Sequence, residues 1–226
     1  IEKRGWSDGE ERHCMRGAIF AYPMIENAIR GARGRSIAEH GQSMGALFAR
    51  FAAVAAGNPL ADRRDGFKAG DIAAAGPDNP FIGFPYTKLM NANAFIDQAA
   101  AVILTSVAEA RALGIAEKRW VYLHGCADAH DHWFLSDRKN FHSSLAMATV
   151  ARESFAMADM SVADMDFLDL YSCFPSAVEI ACAEMGIAED DPRGLTVTGG
   201  LPYFGGPGNN YVCLLYTSDA ADDIPG

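Results

Sequence analysis

The sequence predicts an α/β fold of strands flanked by helices, set behind a helical N-terminal region. Three observations carry this expectation. Residues up to about 80 show only helical apolar spacing. After residue 96 the period changes, and short apolar runs alternate with helical patterns. Two polar or glycine-rich loops, at 169–177 and 199–210, each follow one of those runs. Open α/β sheets place ligands where loops leave the ends of strands.

The elements follow in order. Met24 to Arg30 reads as a short helix, led in by Tyr22-Pro23 and broken by Gly31 and Gly34. Ser36 and Glu39 form a capping box, an N-cap serine with glutamate at N3. Ile37, Met44, Leu47, Phe48 and Phe51 then follow helical spacing, predicting a helix to Ala56 that stops at Gly57-Asn58-Pro59. A short helix is expected near 69–75, then a proline-rich connection from Pro77 to Pro85. Residues 97–104, 120–123, 167–171 and 195–198 read as strands, although so short an apolar run as 97–104 is also compatible with a helix. Helices are expected at 107–113, 144–158 and 175–185, the last with Ser172 as N-cap and Gly186 as stop. Residues 125–143 form a long polar loop, and loops of that length are usually functional or disordered.

Composition excludes several classes. The chain has 226 residues, half of them hydrophobic, and a formal charge of −10. That is ordinary globular composition, and the acidic balance argues against non-specific nucleic-acid binding. There is no apolar run of about 18 residues, hence no expected membrane span. Cys14, Cys126, Cys173, Cys182 and Cys213 lie far apart without a C-x-x-C pair, which favours reduced thiols and a cytoplasmic location. Both ends look cut. The chain starts at Ile1 without an initiator Met, and 213–226 reads as translated sequencing-library adapter, so that tail is set aside.

Several constellations compete for the chemistry. Gly41-Gln-Ser43-Met-Gly45 matches G-x-S-x-G, but a nucleophile elbow needs a strand before it, and the capping box puts Ser43 inside a helix. Small residues at a close helix contact are the better reading. Cys126, Asp128, His130, Asp131 and His132 crowd one loop with metal-ligand types, yet without a second ligand group at a standard spacing. No metal is assigned. Arg30, Arg33 and Arg35, around Gly31 and Gly34 at an expected helix start, suit a phosphate or form a solvated basic turn. Cys173 precedes a helix N-terminus, which favours thiolate, though a lone cysteine is more often a small buried thiol. The glycines of 199–210 let backbone approach a ligand, and their N–H groups are suited to an oxyanion hole; a tight turn is the plainer alternative.

Taken together, 1–212 resembles the thiolase superfamily, in particular the sterol-carrier-type proteins labelled acetyl-CoA acetyltransferase. Asp169-Leu-Tyr-Ser-Cys-Phe174 stands where such proteins carry E-L-H-D-C-F, and Gly199 to Pro207 where they carry G-G-x-x-x-x-G-H-P. The resemblance implies a layered thiolase-like α/β fold, incomplete here. Residues 1–85 would be the loop-domain region, 86–118 the end of the N-terminal half and 119–212 the C-terminal half. It implies an acyltransferase acting on acyl-CoA thioesters, with coenzyme A as part of the substrate and no covalently bound cofactor. Tyr171, Cys173 and Gly206 fall at the catalytic positions. Arg30, Arg33, Arg35, Ser144, Gly205, Pro207 and Asn209 are expected along the coenzyme A site.

The departures are informative. The G-H-P histidine is Gly206, which offers only its N–H, and the preceding motif's histidine is Tyr171, whose phenol can still donate a hydrogen bond. The family's two cysteines fall outside 1–212. A non-catalytic acyl-CoA or lipid binder on the same scaffold therefore stands as the alternative. Family members usually assemble through the N-terminal half, so a homodimer of the intact protein is compatible with the resemblance. Apolar faces on 97–104 and 167–171 are expected to lack cover, favouring aggregation of the isolated chain.

Overall fold

The computed structural model describes residues 5–208 and 210–212. The tail with Cys213, and Asn209, lie outside the described residues. The helices are α1 (Asp8–Arg12), α2 (Ala18–Ala32), α3 (Ile37–Gly57), α4 (Ala69–Ala73), α5 (Val107–Ala112), α6 (Leu145–Ala158), α7 (Pro175–Met185) and α8 (Gly200–Tyr203). Strands β1 (Phe81–Gly83) and β2 (Tyr86–Thr87) pair antiparallel. Among the described residues, no helix is long and apolar enough to cross a membrane.

The axis of the molecule is α3. The expected box forms: Ser36 Oγ accepts from Glu39 N at 3.3 Å, and Glu39 Oε2 accepts from Ser36 N at 2.8 Å. Met44, Leu47, Phe48, Phe51, Ala52 and Ala55 follow one face and are buried. Onto that face pack Ile72 of α4, Tyr86, Met90, Val178 and Cys182 of α7, Leu201 and Tyr203 of α8, and Tyr211. One core thus joins the helical N-terminal region to 168–211. Gly45 lets α4 come close: a Cβ there would lie 2.5 Å from Ala69 O and 3.0 Å from Ala73 Cβ. The G-x-S-x-G match is a helix contact, as its capping box implies.

Helix α2 starts six residues earlier than its spacing predicts, with Pro23 inside it. Proline removes the donor that would meet the Ile19 carbonyl. Gly83 of β1 lies over that carbonyl, and a Cβ there would come within 2.9 Å of Ile19 O.

The four expected strands are the main correction. Residues 97–104, 120–123, 167–171 and 195–198 carry no ladder, and one backbone bond, Leu170 N to Leu195 O at 2.9 Å, joins two of them. A strand is stable only with neighbours on its edges and cover on its faces. Ile103 (77%), Leu104 (84%), Val121 (79%) and Leu123 (77%) are largely exposed, so 97–104 and 120–123 lack both within the described residues. Leu168 and Leu195, by contrast, are buried in the core and give 167–171 partial cover that the sequence did not lead one to expect. Trp120 instead turns back on the end of α5, donating Nε1–H to Ile115 O at 3.1 Å beneath the Arg111 guanidinium.

Gly199 has φ +110°, and a Cβ on it would lie 2.7 Å from Ala55 Cα. Gly199→Ala therefore combines backbone strain with overpacking against α3 and is expected to cost about 2–5 kcal/mol in urea unfolding. Ser36→Ala, which removes only the cap, should cost about 1 kcal/mol. Equal, small losses for both would contradict this packing.

Candidate functional site

The two loops singled out in the sequence meet. Ser172 does not cap α7; Phe174 stands at that N-cap. Ser172 Oγ instead accepts from Leu201 N at 3.0 Å, which ties the first loop to the second. Pro175 opens α7 at its first position, where the missing N–H is one a helix start does not need. Beneath the junction, Asp169 accepts from Val197 N and Thr196 Oγ1, each at 2.9 Å, and from Tyr211 OH at 3.1 Å. Thr198 Oγ1 is also hydrogen-bonded to the Tyr211 hydroxyl.

The segment 89–98 clasps the junction from the other side. Ala92 N donates to Cys173 O, Asn93 N to Leu201 O and Gly206 N to Asn93 O, each at 3.0 Å. Gln98 Nε2 donates to Phe204 O at 2.9 Å, and Asn93 Nδ2 to Asp62 Oδ2 at 2.6 Å.

These bonds alter two expectations. The Gly206 N–H, expected to face a ligand, is taken by Asn93 O. The N–H groups of Gly199, Gly200 and Leu201 likewise donate to Thr196 Oγ1, Thr198 Oγ1 and Ser172 Oγ, at 3.1, 3.1 and 3.0 Å. Buried amides must find partners, and here neighbouring hydroxyls and the Asn93 carbonyl supply them, so these four amides are not free to form an oxyanion hole. Gly205 (φ +116°) is pressed under 96–98: a Cβ there would meet Ile96 Cδ1 at 2.7 Å. Pro207 is half-buried beside it.

Cys173 is half-buried, and burial pushes its thiol up to about 11, against hydrogen bonds from Tyr22 and nearby backbone. Desolvation outweighs the helix N-terminus, so the group is a thiol at neutral pH, the plainer of the two readings the sequence offered. Burial also raises Tyr171 above the usual phenol range and pushes Asp169 up to about 6. Tyr171 is 40% exposed, its ring T-shaped on Tyr211 with centroids 6.1 Å apart. It presents a neutral donor at the surface of the junction.

Of the expected coenzyme A residues, Arg33, Arg35 and Ser144 line two separate cavities, and Arg30, Gly205 and Pro207 line neither. Arg33 and Arg35 line one of about 450 Å3 between α3 and α7, with Ser43, Arg50, Glu189 and Asp190. Arg33 is held by Glu179 at 3.2 Å and Glu189 at 2.6 Å; Arg35 Nη1 donates to Ser43 Oγ at 2.9 Å; Arg30 Nη1 donates to Arg35 O at 3.0 Å. The arginines stand at the α2–α3 turn rather than before a free helix start, because Ser36 and Glu39 already cap α3. Ser144 lines a second cavity of about 570 Å3, between the 129–138 loop and helices α6 and α7. Tyr171, Cys173 and Gly206 line neither.

Nor does the Cys126–His132 loop gather ligands. Asp131 accepts from Ser144 Oγ at 2.6 Å and from Ala146 N at 3.3 Å, steadying the start of α6, and pairs with Arg138 at 3.4 Å. Among the described residues, Glu26, His40 and Glu179 form the group whose donor atoms are close enough to hold a metal ion. Sequence reasoning passed over Asp169, Asn93 and this trio. A carboxylate within an apolar run was the available signal for Asp169 and Glu179; nothing in spacing marks Asn93.

The family model described as "Thiolase C-terminal domain-like" matches residues 127–207. Among solved structures, the chain is similar to a monomeric SCP2-thiolase like protein type 1 (STLP1) from Mycobacterium smegmatis. The identity is 39% and the TM-score 0.90, over 99% of this chain and 49% of that one. The chain thus spans about half the length of that relative. Its fold is also similar to the Ltp2-ChsH2(DUF35) aldolase, with TM-score 0.65 at 14% identity, over 88% of this chain and 56% of that chain. No curated protein sequence matches the chain. From the domain match and the backbone agreement over nearly the full chain, it follows that this chain belongs to the thiolase superfamily, in its sterol-carrier-type branch.

Proposed function

We propose that this chain is part of a thiolase-like acyltransferase acting on acyl-CoA thioesters, forming or cleaving the C–C bond beside the thioester. The observation that carries this reading is Tyr171. It stands where the family motif has histidine, at the meeting of the two loops, neutral and 40% exposed. Its phenol is suited to donate to the thioester oxygen and stabilise charge developing there. Tyr211, fixed by Asp169, holds the Tyr171 ring edge-on. Arg35 and Arg50 give the α3–α7 cavity a basic side for the phosphates of coenzyme A. Cys173, protonated and partly covered, serves structure beside the site.

A second reading is a non-catalytic acyl-CoA or lipid binder. It is favoured by the Gly206 N–H bonded to Asn93 O and by the protonated Cys173, since neither supplies a base or nucleophile.

The family's cysteines lie outside 1–212, so the fragment itself is expected to be inactive. Thiolysis of acetoacetyl-CoA by the intact protein that contains this chain, and calorimetric binding of coenzyme A to it, separate the two. Tyr171→Phe should lower kcat/KM about 10–100-fold with coenzyme A affinity unchanged, as for one lost oxyanion donor. Arg35→Gln should do the converse, weakening coenzyme A about tenfold for the loss of one charge-assisted hydrogen bond. Binding without thiolysis would replace the first reading with the second. Unchanged binding in Arg35→Gln would remove the cavity from both.

A further inference from the structure

Under the start of α7, three helices enclose a polar cluster. Glu26 of α2, His40 of α3 and Glu179 of α7 are each at most 1% exposed. Glu26 Oε1 lies 2.5 Å from His40 Nε2, and Glu26 Oε2 accepts from Tyr86 OH at 2.7 Å. Ser176 Oγ lies 2.7 Å from the same phenol. Glu179 Oε1 accepts from Arg33 Nη1 at 3.2 Å, but Glu179 Oε2 and His40 Nδ1 are buried without a partner atom.

The charges do not balance if both carboxyls ionise. Arg33 is the cation in contact, and it also pairs with Glu189. Burial drives His40 below the usual imidazole range, and its bare Nδ1 accords with the neutral ring donating from Nε2. An anionic Glu179 would then leave an unpaired oxygen beside a second buried carboxylate, which is among the costliest arrangements in a protein interior. A proton removes one charge and allows a hydrogen bond between the Glu179 and Glu26 carboxyls, which each have an oxygen within 4.8 Å of the other. A metal ion fits less well, because the 2.5 Å separation of Glu26 Oε1 and His40 Nε2 is that of a hydrogen bond, and Arg33 already occupies Glu179.

We propose that Glu26 and Glu179 share one proton at neutral pH, as a carboxylic acid–carboxylate pair that holds α2 against α7. Through Tyr86 and Ser176, the second residue of α7, the pair fixes the helix start that follows Cys173. The groups facing it are Arg33 and Arg35 from the α2–α3 turn, His40 from α3, Tyr86 from β2, Cys182 from α7 and Glu189 beyond it. Burial, then the charge of Glu26, pushes Glu179 up to about 9 from an ordinary 4.5.

Between those values the folded chain holds a proton that the unfolded chain has released, so the stabilisation is whole below the ordinary range and falls as pH rises. The unfolding constant should rise by up to about tenfold per pH unit in that window and level off above it.

Infrared spectroscopy of the full chain reads the proton directly. A protonated-carboxyl carbonyl band is expected at neutral pH, when exposed carboxylates are ionised, vanishing with a midpoint near 9. Glu179→Gln, which keeps the hydrogen bond without the titration, should lose the band and flatten the pH dependence of unfolding. Glu26→Gln should behave likewise. A neutral-pH spectrum of the unaltered chain without the band overturns the proposal. So does stoichiometric zinc binding to the chain that is lost in Glu179→Gln, which would make the cluster a metal site.

Discussion

Burial of the apolar face of α3 is what the other elements depend on. Phe48, Phe51, Met44 and Leu47 are each at most 3% exposed, and each such side chain stabilises the fold by roughly 1.5–3 kcal/mol. Helices α4, α7 and α8 and the β2 region all contribute side chains to the core that this face belongs to. The glycine loop inherits its shape from it: Gly199 lies on Ala55, and a Cβ on Gly200 would meet Phe51 Cδ1 at 2.6 Å. Glycine is required there because α3 leaves no room for a side chain.

From that constraint the character of the site follows. A loop pressed onto a helix buries its amides, and buried amides must be paired. Thr196, Thr198, Ser172 and Asn93 do the pairing. What remains open to a ligand at the junction is side-chain chemistry, chiefly the Tyr171 phenol. The acid cluster behind α7 applies the same logic to charge: a carboxylate with too few partners keeps a proton instead.

Much of this was legible beforehand. The α3 capping box, the stop at Asn58 and α7 with its Gly186 end rest on local signals, and local signals survive into the structure; the contact between the two loops is long-range and was not legible. The strands were legible as apolar runs but not as a sheet, since pairing depends on neighbours that a run does not encode. The N-cap of α7 was misread because Ser172 satisfies a distant amide rather than its own helix. Of the two readings of Cys173, thiolate at a helix start and small buried thiol, burial decides for the second. Glu26 and Glu179 lie 153 positions apart on different helices, and no spacing rule joins them.

The central claim is that the glycine-loop amides serve the fold, leaving the chemistry to side chains. Hydrogen exchange at Gly199, Gly200, Leu201 and Gly206, with and without an acyl-CoA thioester, tests it most directly. The account predicts slow exchange at all four in the free chain, unchanged by ligand. Fast exchange that becomes protected on thioester binding would contradict it and restore the backbone as an oxyanion hole.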